Sequence, residues 1–326
     1  MGPGDAVVPR PLVSGPSTLH LRPDRARPDV LATCRGNLFA VDPVVYSSRP
    51  EMERPVLVTA FRGWNDAGEA ASTAAGFLKD AWDAEPFALI DPEEFFDFQV
   101  ARPTVRLAEG VTRVIEWPEC EFSHARVDGR DVVIFTGIEP NVRWRTFGNS
   151  IVEVGKTLGA ERLVTLGAFL ADVPHTRPVP VVGSASSPEE AERLGLQMSR
   201  YEGPTGIVGV LHDLSNRGGL PSVSFWAAAP HYVQAGVNPR ATLALVERLT
   251  DFLGVTADVA SLAPAIAAWE QQVNEIVAEN ETLTEYVRRL EQAAGEEPPM
   301  PSASGESLAE EVEEFLREHG GGTSTP

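Results

Sequence analysis

PVLVTAFRGWNDAGEAAS, residues 55–72, is the stretch on which the reading of the chain turns. Its opening apolar run suits a strand buried on both faces. Its alanine-rich end suits a helix. Between them Gly63 and Gly68 are separated by four residues, the spacing of the phosphate-cradling loop G-x-x-x-x-G-K-[ST]. The chemistry of such a loop is missing. Glu69 stands where lysine would reach the phosphates, Ala70 stands where a hydroxyl would meet magnesium, and Asp66 adds a carboxylate inside the loop. Carboxylates at a helix N-terminus suit the helix dipole and repel a polyphosphate. Asn65 or Asp66 instead reads as an N-cap, with Glu69 completing a capping box. The other GK[ST] match, Gly155-Lys156-Thr157, follows the β-branched run IVEV and belongs to regular structure.

Outward from this stretch, residues 55–254 alternate apolar strands with helical patterns, the signature of a three-layer α/β fold with a mostly parallel sheet flanked by helices. The clearest strands are 55–61, 131–137, 162–170 and 222–229, and the helices 66–82, 144–159, 188–200, 206–216 and 239–253. Residues 104–118 read as an antiparallel hairpin at the sheet edge, turning at Glu109-Gly110. After Val255 the pattern changes. Leu262, Ile266, Trp269, Val273, Ile276, Asn280, Leu283, Val287, Leu290 and Ala294 recur in four-three spacing, a heptad seam on one long helix with Asn280 at an a position. That seam either folds back on its own domain or pairs with another copy. Val277 and Thr284 at e positions, where a zipper would carry charge, favour folding back. The expected organisation is therefore an N-terminal extension without periodicity (1–36), an α/β domain (37–254), the heptad-patterned helix (255–294), and a linker with a short acidic helix and disordered end (295–326).

Composition narrows the function. The chain has 326 residues, 43% of them hydrophobic, enough for a large core. Cys34 and Cys120 form no C-x-x-C pair, and no stretch has the form of a signal peptide or a membrane span. A soluble cytoplasmic protein is expected. The net charge is −20, with −12 of it in residues 255–326, so nucleic acid is not an expected partner. Lys79 and Lys156, the two lysines, read as helix-face residues and not as Schiff-base groups.

Ligands of open α/β sheets bind beyond the carboxyl ends of the strands. The polar and aromatic residues at those ends are Trp64, Asn65 and Asp66; Glu139, Arg143, Trp144 and Arg145; Asp172, His175 and Arg177; and His231 and Tyr232. Gathered at one rim, they would form a cleft for a small anion, a nucleoside-like ring or a peptide. No catalytic signature such as G-x-S-x-G or H-E-x-x-H occurs. Asp172 and His175 lack a third metal ligand, so neither metal nor cofactor is expected. His212-Asp213 reads as helix surface.

PVLVTAFRGWNDAGEAAS, EPNVRWRTF, TLGAFLADVPHTRP, YEGPTGIVGVL, GLPSVSFWAAAPHYV and NPRATLALVERL, in this order, resemble the PAC2 family, named for a proteasome assembly chaperone, and above all its bacterial branch. The resemblance spans roughly residues 37–290, with G-W-N-D-A-G its sharpest piece. It implies a fold similar to nucleoside phosphorylases, self-association as a dimer or trimer, and an assembly-chaperone-like role with proteasome subunits as conceivable partners. One departure stands out: eukaryotic members dock through a hydrophobic-Tyr-X tail, whereas this chain ends Ser324-Thr325-Pro326. Two readings follow, a non-enzymatic interaction protein and a phosphorylase-like small-molecule binder or enzyme in which Arg143, Arg145 or Arg177 holds an anion and His175 or Asp66 moves a proton.

Overall fold

The computed structural model describes residues 43–108, 112–198, 201–233 and 236–293. The expectations for residues 1–36, the Glu109-Gly110 turn, Ala294 and residues 295–326 fall outside them. Four parallel strands form the centre of a sheet, in the order β7 (Arg130–Ile138), β2 (Val56–Arg62), β8 (Arg162–Ala171) and β11 (Ser222–Pro230). Antiparallel strands extend it on both sides. β6 (Glu121–Val127), β3 (Glu85–Ile90) and β1 (Val44–Tyr46) lie beyond β7, and β9 (Val181–Ala185) beyond β11, where it is joined by β10 (Gln197–Met198).

Alternation along the central strands sends side chains to two helical layers. Val56, Val58 and Ala60 of β2 face α1 (Ala70–Ala81) and α5 (Pro239–Leu253), whereas Leu57 and Phe61 face α2 (Trp144–Thr157) and α4 (Ile207–Arg217). The second layer is built on aromatic rings: Phe147 of α2 meets Phe61, Phe95 and Phe135 at centroid distances of 6.2, 5.2 and 6.1 Å. α3 (Pro188–Leu194) is shorter than the sequence pattern suggests and is followed directly by β10.

Three expectations are corrected. The hairpin of β4 (Thr104–Ala108) and β5 (Thr112–Glu116) forms a two-stranded sheet of its own and does not extend the edge of the main one. The heptad stretch is two helices, α6 (Ala263–Ala278) and α7 (Glu281–Ala293). Asn280 sits in the break, where its Oδ1 accepts the Leu283 N–H at 3.1 Å, so its side chain starts α7 and does not set a coil register. The seam folds back in part. Leu262 and Ile266 join the α1/α5 core, while Trp269, Val273, Val277 and Val287 pack with Leu283 against Tyr232 and Val233; Ile276 points to solvent. Finally, His212 faces the sheet. Its Nε2 lies 3.1 Å from Thr165 Oγ1 and its Nδ1 2.9 Å from Ser222 Oγ, and burial pushes its pKa down to about 4.

Candidate functional site

Because β2, β7, β8 and β11 are parallel, their carboxyl ends share one rim. The residues there divide into three groups. The first is buried, Glu139 half-buried, and builds helix starts. Asp66 Oδ1 accepts the N–H groups of Ala71 and Ser72 at 2.7 and 3.2 Å, and its Oδ2 accepts the Ser72 hydroxyl at 2.5 Å. Burial pushes the Asp66 carboxyl up from its usual range and Glu69 adds to this, although the three hydrogen bonds oppose it. Glu69 does not close a capping box; it is exposed, with φ 48°. Asn65 donates to Glu139 Oε1 at 3.4 Å, and the same oxygen accepts the Ile207 N–H at 2.8 Å, so Glu139 covers the start of α4. Asn238 begins α5, its Oδ1 accepting the Ala241 N–H at 3.1 Å while its own N–H donates to the Gly68 carbonyl at 2.8 Å.

The two glycines of the opening stretch therefore serve packing. Gly68 has φ 59°, and a Cβ there would stand 2.9 Å from Asn238 Cβ. A Cβ on Gly63 would stand 3.1 Å from Glu139 Cβ. The loop joins the N-termini of α1, α4 and α5, and its spacing comes from close approach, not from phosphate.

The second group lies where β8 and β11 end, under α6 and α7. Tyr232 Oη accepts the His175 N–H at 2.8 Å and lies 2.8 Å from His175 Nδ1, while His175 Nε2 lies 3.1 Å from Asn274 Oδ1. With one phenolic proton, Tyr232 donates to Nδ1, which leaves the imidazole proton on Nε2 to meet Asn274. Asp172 Oδ1 accepts from Tyr286 Oη at 2.8 Å and lies 3.1 Å from His231 Nδ1. Arg240 donates to the carbonyls of His175 and Arg177 and pairs with Glu270 at 3.2 Å. Burial pushes the phenols of Tyr232 and Tyr286 up to about 12, the carboxylates of Glu291 and Asp172 respectively adding to it. This group latches the helical pair to the sheet, and Asp172 and His175 are engaged by side chains, not poised as a ligand pair. Among the described residues no three His, Cys, Asp or Glu groups gather as a metal site, and no helix is long and apolar enough to cross a membrane.

The third group faces solvent. Arg143 pairs with Glu94 and lies 5.8 Å from the Phe95 ring centre, with a left-handed φ of 56°. Trp144 is half-buried and donates to the Pro140 carbonyl at 2.6 Å. Arg145 and Arg177 are exposed, and Trp64 is 63% exposed. Sequence reasoning missed Asn238, Asn274, Arg240 and Tyr286. Asn238-Pro239 carries a helix-start signal that could have been read. The other three act through helix packing that no local pattern announces.

The PAC2 family profile matches residues 60–277. A PAC2 family protein from Streptomyces avermitilis is 48% identical, with a TM-score of 0.67, over 72% of this chain and 99% of its own. The Mycobacterium tuberculosis proteasome-assembly chaperone homologue is 50% identical, with a TM-score of 0.65, over 71% of this chain and 99% of its own. An archaeal homologue of proteasome-assembly chaperone from Pyrococcus furiosus, 23% identical with a TM-score of 0.51 over 77% of this chain and 99% of its own, shares the fold. Among curated proteins none matches. The profile match runs from the end of β2 through the other central strands, both helical layers and the latch up to α6, two thirds of the chain, and the chain belongs to the PAC2 family.

Proposed function

We propose that this protein is a non-enzymatic, self-associating interaction factor of the cytoplasm that assists assembly of a larger protein complex. The observation that carries this reading is the engagement of the polar strand-end groups. Asp66 and Glu139 hold helix starts and His175 holds α6, so the residues best suited to acid-base work are structural partners. What the rim offers outward is protein-like contact surface: Trp64, Val142 and Leu170 are exposed, as are Arg143 and Arg145. The half-identical mycobacterial relative, a proteasome-assembly chaperone homologue, makes proteasome subunits the first partners to try.

The test is capture of 20S α-rings or half-proteasomes by the immobilised full-length protein, with a known partner as the retained control. Retention above background supports the reading. An empty eluate, with the control retained, removes the proteasome as partner.

A further inference from the structure

α7 ends on the strand-end rim. Its Tyr286 hydroxyl donates to Asp172 Oδ1 at 2.8 Å, and Glu291 in its last turn accepts the Thr176 hydroxyl, so the helix closes over the loop that follows β8. Residues 294–326 therefore continue from the strand ends. Exposed apolar side chains recur along the rim from there. Leu170, two residues before Asp172 on β8, is 57% exposed; Trp64 follows β2, the strand paired with β8; Val142 follows β7, the strand paired with β2, and is 49% exposed. Trp64 is presented by a fixed turn. The Asp66 N–H closes that turn on the Gly63 carbonyl at 3.1 Å, and the Asn65 carbonyl accepts the Ala168 N–H at 2.9 Å. An indole on a backbone already ordered loses little freedom when covered, which is how a binding hot spot is built. Arg62, Arg143 and Arg145 at the same strand ends are exposed.

The sequence beyond α7 carries the complementary pattern. ESLAEEVEEFLRE, residues 306–318, holds six glutamates against one arginine, and Leu308, Val312, Phe315 and Leu316 recur at the spacing of one helix face. So short a helix is marginal in water by itself, and its apolar face needs a surface to form on.

We propose that residues 306–318 dock on the rim of their own chain as an amphipathic helix, apolar face on Trp64, Val142 and Leu170 and glutamates toward Arg62, Arg143 and Arg145. This rests on the docking role proposed above and names its regulator, since a partner reaches the rim only by displacing the tail. Reach and charge both point to it. From Ala293 to Leu308 an extended chain spans up to about 50 Å. The four strand ends from β11 to β7 extend over about 15 Å. The chain carries −20, so an acidic segment is repelled by most of it and is held best where arginines stand beside apolar side chains. Gly-, Pro- and Ser-rich linkers of this length give an effective concentration on the order of 1 mM, so a contact with a dissociation constant of about 0.1 mM between separate molecules is roughly nine-tenths formed within one.

The experiment is fluorescence anisotropy of a labelled peptide of residues 306–318 titrated with three full-length proteins: wild type, the tail variant Phe315→Ser/Leu316→Ser, and the tail variant carrying Trp64→Ala as well. Far-UV circular dichroism and thermal melting serve as fold controls, and Val142→Ser replaces Trp64→Ala if the latter alters them. The tail variant should bind the peptide about tenfold more tightly than wild type, whose own tail competes. Adding Trp64→Ala should weaken that binding about tenfold, the loss of one hot-spot side chain. Added salt should weaken it too. Equal affinity of wild type and tail variant, binding indifferent to Trp64→Ala, or no binding at a peptide concentration on the order of 1 mM overturns the contact. Competition in wild type that grows with protein concentration assigns the tail to a second copy and overturns docking within one chain. The assay contains no partner, so an empty proteasome eluate removes only the proteasome, and failure here leaves that capture experiment to decide by itself.

Discussion

The two halves of the strand-end rim solve one problem by different means. Beyond β2 and β7, carboxylates take up the free N–H groups of incoming helices: buried Asp66 at α1 and half-buried Glu139 at α4. Beyond β8 and β11, a helical pair is tied down by phenols and an imidazole, through Tyr232, buried His175 and Tyr286. The first device belongs to the core, since without it the helices of both layers lose their first turns. The second ties a separate cluster, Trp269, Val273, Val277 and Val287, to the strand ends, while Leu262 and Ile266 at the start of the pair reach the main core.

Breaking the node should cost most. Asp66→Ala leaves the Ala71 and Ser72 N–H groups without their acceptor, and a loss of about 3 kcal/mol is expected in denaturant titration. Asp66→Asn keeps an acceptor oxygen and should lose less than half of that. The charge carries a sign that can be checked. Burial raises the Asp66 pKa, so its contribution is full below the ordinary aspartate value of 3.8 and declines as pH rises through the folded value. Wild type should therefore gain on Asp66→Asn as the solution is acidified through that window. Asp131 runs the other way. Burial pushes it up but is outweighed by the Glu53 N–H, His124 and Arg126, so its contribution is present above 3.8 and lost as pH falls through the depressed value. If both aspartates moved stability in the same direction, the contrast between them would fail.

The latch should open with a smaller and local loss. Tyr232→Phe removes the acceptor of the His175 N–H and the donor to its ring, at about 1–2 kcal/mol, and hydrogen exchange should speed in α6 and α7 while the central strands stay protected. Alkali should do the same to wild type. Tyr232 and Tyr286 have folded pKa values raised from 10.0 to about 12, so their contribution is intact below 10.0 and lost as pH climbs through that interval. Tyrosinate absorbance and exchange of α6 and α7 should rise together there. Exchange spreading equally through β2 and β8 would show that the pair is integral to the core.

Asn280→Ala is a narrower test of the break between the two helices. The loss of one exposed cap is worth about 1 kcal/mol, confined to α7. Were Asn280 a register residue in a coil, the alanine variant would stabilise the helix instead.

These contrasts also show what was legible in sequence. The central strands and α1, α2, α4 and α5 were legible because burial on both faces and a 3.6-residue period leave local marks. The antiparallel strands β3, β6 and β9 were not, since EPFALI, EFSHARV and VVGSA are short and mixed, and their pairing is set by distant partners. The heptad spacing was real, yet a period cannot show that Asn280 ends one helix and starts the next: the same asparagine that marks a coil register also caps. At the rim, residue types were legible and their engagement was not. Asp66 and His175 look like chemistry in sequence because burial and hydrogen bonding, which make them structural here, are properties of the assembled rim.

The smallest effect carries the sharpest functional contrast. Arg143 is half-exposed and its Glu94 partner equally so, and an ion pair in that setting is worth little, so Arg143→Ala should change stability by less than about 0.5 kcal/mol. Its backbone lies in the left-handed region, where alanine fares no worse than arginine and glycine better, so Arg143→Gly should match or exceed wild type. Stability being indifferent, any consequence of the alanine variant reports on ligands. A thermal-shift series with phosphate, ribose phosphates and nucleosides should leave wild type and Arg143→Ala alike if the rim is a protein-docking surface. A shift of several degrees in wild type that vanishes in the variant would make Arg143 an anion clamp on the exposed start of α2, and the chain a small-molecule binder on a fold that its relatives use otherwise.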